Sequence, residues 1–152
     1  MLAAIQLENY YVSRIEMNYT PESDLIENKK VEFSHEVNYD GQVGAAVTIG
    51  CSVSDKSGLL IDITMVGYFK IALQKEEDDD KEVEIDVLND HIHKLCEENT
   101  LSILFPYVRS TISDISLKAN AEPIILPTIN IIALIKKEKE KEKERSRKAK
   151  TT

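Results

Sequence analysis

From the N-terminus, apolar side chains fall on alternate positions. Ile5, Leu7, Tyr11, Ile15, Met17 and Tyr19 share one parity, with Asn9 and Ser13 as interruptions, and Glu8, Arg14 and Glu16 take the other. Successive strand side chains point to opposite faces, so this pattern predicts a long half-buried strand. Pro21-Glu22-Ser23-Asp24 predicts its end. Alternation resumes with Val31, Phe33, His35, Val37 and Tyr39 against Lys30, Glu32 and Glu36. Asp40-Gly41 then separates this run from Val43, Ala45, Val47, Ile49, Cys51 and Val53. An Asp-Gly pair between alternating runs signals a hairpin, because both residues tolerate left-handed backbone. A second turn, Asp55-Lys56-Ser57-Gly58, leads to Leu59, Ile61, Ile63, Met65, Phe69, Ile71 and Leu73. Gly67 interrupts this row and marks a bulge or a close backbone approach. Four strands joined by short turns predict an antiparallel sheet with one apolar face.

The period changes after Gln74. The acidic segment Gln74–Glu84 reads as a solvated loop, since it lacks the ligand spacing and turn glycine of a calcium-binding EF-hand. From Val83 the spacing is helical: Ile85, Leu88, Ile92 and Leu95–Cys96 step by three and four. Asn99-Thr100 suggests a stop and a fresh N-cap. Leu101, Leu104, Phe105, Val108, Ile112 and Ile115 then form a helical stripe, which Pro106 is expected to kink. Pro123-Ile124-Ile125-Leu126-Pro127 is held extended by its prolines. Ile129, Ile131, Ile132, Leu134 and Ile135 open a last short helix that runs into charge. The expected fold class is α+β: a four-stranded antiparallel sheet with two to three helices on one side.

Composition fits one domain. The 152 residues are 42% hydrophobic and 30% charged, ordinary for a globular chain. No apolar run approaches the ~20 residues needed to span a bilayer. The first residues carry no basic stretch before Glu8, so no secretory signal is read there. With two cysteines, Cys51 and Cys96, a reducing cytoplasm is expected. The net charge of −8 is unevenly spread. Of the 19 basic and 27 acidic side chains, residues 136–152 hold nine and four, leaving ten and 23 for residues 1–135. This divides the chain into a body, 1–135, and a basic tail, 136–152. The acidic body is unsuited to nucleic acid. Glutamates alternate with the lysines of the tail up to Glu144, and it has no aromatic residue to stack on bases, so it reads as a solvated end. Neither a nucleic-acid partner nor membrane insertion is expected.

Catalytic signals are sparse. The five glycines are scattered and build no phosphate loop, and there is no nucleophile elbow. His91, His93 and Cys96 lie on a helix where at most two could reach one metal, short of a structural zinc's four ligands. Cys96 reads instead as a small buried hydrophobe. Cys51 and His35 could be neighbours on paired strands, but no third group would orient them as a catalytic pair. No enzyme activity, cofactor or metal is expected. What stands out is apolar surplus. The sheet face, the helical stripes and the Ile/Leu-rich stretch after Pro123 exceed what one thin subunit buries, which points to an oligomer interface or an apolar binding surface.

Three segments carry a family resemblance. Leu104-Phe105-Pro106-Tyr107-Val108-Arg109, Pro123-Ile124-Ile125-Leu126-Pro127-Thr128-Ile129-Asn130 and Val66-Gly67-Tyr68-Phe69-Lys70-Ile71 resemble the SecB export-chaperone family, over about residues 5–135. The resemblance implies a homotetramer, a dimer of dimers, that acts without ATP as a holdase for unfolded polypeptide clients. It suggests a client groove from Phe33, Val37, Tyr39, Phe105, Pro123, Ile124, Ile125, Leu126 and Ile129. It also implies the SecA motor as a partner, docked by acidic residues on the exposed sheet face, of which Asp62 matches one. Two further such positions are Arg14 and Asn18 here, neither acidic, and the aromatic expected after the Pro-x-x-Asn motif is Ile131. Relatives of this family protect antitoxins, so an interaction module dedicated to one such partner is the alternative.

Overall fold

The computed structural model describes residues 2–21, 30–74, 85–126 and 131–151. Four strands are followed by two helices: β1 (Leu2–Tyr19), β2 (Lys30–Asp40), β3 (Gly44–Ser54), β4 (Leu59–Gln74), α1 (Ile85–Lys118) and α2 (Ile131–Lys150). The strands form one antiparallel sheet in the order β1-β4-β3-β2. The expected α+β architecture is the observed one. The expected acidic loop, most of the Pro21–Asp24 turn and Pro127–Asn130 lie outside the described residues.

The β2–β3 hairpin follows its sequence signal. Gly41 has φ +55°, and Val43 N–H donates to the Asp40 carbonyl at 3.2 Å. Register runs unbroken from Lys30↔Ser54 to Asp40↔Gly44. Odd-numbered residues of β3 and β4 point to the helices and are buried, from Val47 to Val53 and from Leu59 to Met65.

β1 departs from simple alternation. Its register on β4 shifts between Leu7 and Asn9 and again between Val12 and Arg14. Glu8 and Ser13 are the extra residues, and each shift inverts the facing of the residues after it. Ile5 and Leu7 pair with Ile71 and Phe69 on the helix side. Between the bulges Tyr10 and Val12 take that side, opposite Gly67 and Met65, while Tyr11 pairs with Val66 on the outer side. After the second bulge Ile15, Met17 and Tyr19 return inward opposite Ile63, Ile61 and Leu59. Tyr11 therefore does not share the face of Ile5, as plain alternation predicts.

α1 is one helix of 34 residues, about 51 Å at 1.5 Å per residue. The expected break at Asn99-Thr100 does not occur. Thr100 is fully buried, and its hydroxyl donates to the Cys96 carbonyl one turn back rather than capping a new helix. The helix also continues through Pro106. This length lets α1 bridge two apolar clusters. Ile92 and Cys96 pack with Ala45 and Ile71, while Leu101, Leu104, Phe105, Val108 and Ile112 cover the centre of the sheet. Gly67 sits where the helix comes nearest: a Cβ there would lie 2.8 and 2.9 Å from the Leu104 methyls.

α1 is closed by Asn120, φ +56°, with Ala121 N–H donating to the Ser116 carbonyl at 3.2 Å, a Schellman-type closure. Ser116 is buried, and its hydroxyl accepts from Ile124 N–H at 2.9 Å. That bond pins the following segment against the sheet. Ile124 and Leu126 turn inward, and Pro123 and Ile125 outward.

Candidate functional site

The residues expected to line a client groove fall into two groups. Phe33, Phe105, Ile124 and Leu126 belong to one buried cluster, with Phe33 and Phe105 edge to face at 5.7 Å. Pro123 and Ile125 are exposed beside it. Val37 and Tyr39 lie further along β2, half-buried against the first half of α1. Tyr39 stacks on His93 at 4.0 Å, and its hydroxyl donates to the His93 carbonyl at 3.3 Å. Burial, with Cys96 and Glu97 nearby, pushes its phenol up to about 12. Ile129 lies outside the described residues.

A second apolar feature was not singled out by the sequence. Beside the covered centre of the sheet, the inward row of β1 is open: Tyr10, Val12, Ile15 and Met17 are 40, 36, 49 and 41% exposed. Tyr10 reaches Tyr107 of α1 with ring centroids 4.3 Å apart, at the foot of this row. The two bulges hid Tyr10 and Val12 from period-two reading. Neither of them stands on the parity of Ile15 and Met17.

The outer sheet face is mixed. Asp62 is half-buried there and directly opposite Glu16. Arg14 bridges the two carboxylates, at 2.6 Å to Glu16 and 3.7 Å to Asp62. Tyr11 and Tyr68 lie side by side on the same face, 6.0 Å between rings.

α2 brings charge to the β2 edge. Glu138 is half-buried and takes a hydrogen bond from the backbone of Phe33. Burial pushes its carboxyl up. The Phe33 amide and Lys141 pull it down, and Glu32 and Glu142 push it up. Burial and Lys139 hold His35 down at about 4, so its imidazole is neutral at pH 7. Residues 139–150 are exposed, whereas Glu138 is not the solvated side chain that the charge pattern suggests. A Lys/Glu alternation with no apolar stripe carried no signal of that contact. Lys136 also pairs with Glu98 of α1 at 3.5 Å.

The thiols are suited to packing rather than chemistry. Cys51 and Cys96 are buried and reduced, and burial pushes Cys51 up to about 12, leaving no thiolate at neutral pH. Cys51 pairs with Phe33, and His35 with Ile49, so the two are diagonal neighbours. His91 and His93 are exposed. Among the described residues no three His, Cys, Asp or Glu side chains cluster as metal ligands, and no helix is long and apolar enough to cross a membrane.

These features define an α+β protein whose distinctive surface is apolar rather than chemically reactive. The family model described as preprotein translocase subunit SecB matches residues 4–142, and the chain belongs to the SecB family of chaperones. An uncharacterized protein of Methanocaldococcus jannaschii is 29% identical over 141 residues, covering 87% of this chain and 83% of that protein. The protein-export protein SecB of Methylobacillus flagellatus is 29% identical over 97 residues, covering 64% of this chain and 54% of that protein. The match thus spans about half the length of that SecB. Among solved structures, the SecB-like chaperone of Mycobacterium tuberculosis in complex with a ChAD peptide from the HigA1 antitoxin superposes with a TM-score of 0.60. It is 17% identical, covers 82% of this chain and 90% of that one, and shares the fold.

Proposed function

We propose that the protein is an ATP-independent holdase that binds unfolded or non-native polypeptides in apolar grooves and keeps them competent for export. The observation that carries this reading is the open apolar row of β1 on a chain of the SecB family. A lone soluble subunit rarely leaves four large apolar side chains contiguous and wet. The groove is assigned to Phe33, Phe105 and the extended Pro123–Leu126 segment, with Val37 and Tyr39 at one end and Ile129 beyond the described residues. Ile125 and Pro123 present the exposed surface from which a client would make first contact. Assembly as a homotetramer, a dimer of dimers in the cytoplasm, covers part of the β1 row and multiplies the grooves. Several weak apolar contacts then hold a client by avidity while each remains easy to break.

The test is suppression of aggregation of a chemically unfolded model protein by the purified protein without ATP. Persistent aggregation at several-fold molar excess overturns the reading.

One observation favours a second reading, a module dedicated to a single partner such as an antitoxin. Asp62, the one acidic residue at an expected motor-docking position, is paired with Arg14 at 3.7 Å. That weakens delivery to SecA without touching the groove. The solved relative's ChAD peptide ligand is the precedent for such a partner. A pull-down discriminates: one stoichiometric protein supports the dedicated module, and many unfolded clients support the holdase.

A further inference from the structure

Among the described residues, the sheet order leaves one side of β2 without a partner strand. An unpaired strand edge is a row of backbone donors and acceptors, open to any extended chain of the right length. On β2 this row is interrupted at Phe33. Phe33 turns its ring inward onto Phe105, while its amide N–H faces the other way, toward α2, and is taken by the Glu138 carboxylate. Glu138 is thus bonded where the carbonyl of an added strand would be.

The seat of α2 on this edge is imperfect. The space between them is divided into small cavities of about 290 and 100 Å³. Glu138, Glu142 and Arg145 line it from the helix, and Glu32, Phe33 and His35 from the strand. Glu32 and Glu142 repel the carboxylate that makes the bond. The Nε2 atom of His35 is buried there with no hydrogen-bond partner among the described residues. A charged side chain accepts a single hydrogen bond at a cost in desolvation. A backbone strand would accept the same bond without that cost and continue the ladder on either side.

We propose that Glu138 is a resident stand-in for a client strand: α2 closes the β2 edge at Phe33, and an extended segment of unfolded polypeptide displaces it to pair with β2. The inference rests on the holdase reading and specifies where one client segment docks and what it competes with. The closed edge also keeps β2 from pairing with other copies of the chain when no client is present.

The experiment uses the full chain as wild type, Glu138→Ala, Glu138→Gln and, as a control on the same helix, Glu140→Ala, whose side chain is exposed. Hydrogen exchange at the Phe33 amide reports the contact directly. It is expected to accelerate about tenfold in Glu138→Ala, less in Glu138→Gln and not at all in Glu140→Ala. Binding of reduced, alkylated α-lactalbumin, which stays unfolded, reports the competition. Affinity is expected to rise about three- to tenfold in Glu138→Ala over both wild type and Glu140→Ala. Unchanged exchange at Phe33 overturns the proposal. So does faster exchange with unchanged affinity, which would make Glu138 a guard against aggregation only. If no form of the protein binds the unfolded probe, the holdase reading fails instead, while the exchange data still report whether Glu138 closes the edge.

Discussion

Two neighbouring rows on the same face of the sheet have opposite fates. On β4, Leu59, Ile61, Ile63 and Met65 are fully buried. On β1, their register partners Tyr19, Met17, Ile15 and Val12 carry similar apolar bulk, yet the last three are 36–49% exposed. Residue type does not separate the rows. What separates them is α1, which covers β4 along this stretch but meets β1 elsewhere, at Ala3 and Ile5 beside Ile92 and Cys96 and at Tyr10 beside Tyr107. Apolar strand residues mark a face that wants covering. They do not say whether the chain itself supplies the cover.

The sharpest test substitutes one residue from each row. Ile63→Ala is expected to lose about 3 kcal/mol of unfolding free energy, because it leaves a cavity beneath α1. Ile15→Ala is expected to lose under about 1 kcal/mol, since half its surface is already wet. Denaturant titration at low protein concentration checks both, and equal losses would break the comparison. The companion variant Ile15→Asp is expected to keep its circular dichroism and to elute at a smaller mass if the row is an interface. An unchanged mass with weakened client binding would assign the row to clients.

Next in size is the seat of α1 on the sheet. Gly67→Ala places a methyl within 2.9 Å of Leu104 and 3.1 Å of Phe69, in a region with no spare room. A loss of about 2 kcal/mol is expected in thermal or denaturant unfolding. Combining it with Leu104→Ala should give less than the sum of the two losses, since the clash partner is gone.

A comparable effect is expected from acid. His35 titrates in the native protein at about 4, against an ordinary value of 6.5, because of burial and then Lys139. Both states are neutral above pH 7, so His35 contributes nothing there. As pH falls through 6.5 the unfolded chain gains a proton that the native imidazole refuses, and stability drops until about pH 4. The loss is on the order of 1–2 kcal/mol, below the full linkage value because the ring is partly exposed. Denaturation midpoints of wild type and His35→Gln, compared between pH 7 and 4, check this. The variant should show the smaller decline.

The smallest effect is expected on the outer face. Arg14→Ala should change stability by under about 0.5 kcal/mol, because its ion pairs with Glu16 and Asp62 are solvent-exposed. It would leave both carboxylates without their shared cation, and denaturant titration of wild type and variant checks the small loss.

Much of this fold is legible in the chain. The β2–β3 hairpin can be drawn from Tyr39-Asp40-Gly41 and the flanking alternation, since turn chemistry and periodicity are local. The stripe from Leu101 to Ile112 likewise marks the side of α1 that is buried. The continuity of α1 is not legible, because Asn99-Thr100 has the composition of a cap. Whether Thr100 caps or bonds backward to Cys96 is decided by the burial of its hydroxyl, a tertiary fact. Of the site, the apolar character of Phe33, Phe105, Ile124 and Leu126 points to them, but nothing local shows that Tyr39 is stacked on His93. The contact of Glu138 with Phe33 leaves no local trace at all, because a charged helix looks the same with one buried carboxylate as with none.

Glu8 and Ser13 act on β1 as a frameshift and its suppressor act on a gene. Each extra residue throws the inside-outside reading of the strand out of phase, and together they restore it from Ile15 onward. Relatives lacking both residues would keep every inward side chain of β1 inward. A relative lacking one of them would do the same, because the residues on either side of the lost bulge stay opposite the same β4 partners. A single gap across residues 8–13 therefore belongs at residue 8 or 13, where it removes a bulge and leaves the open apolar row facing inward.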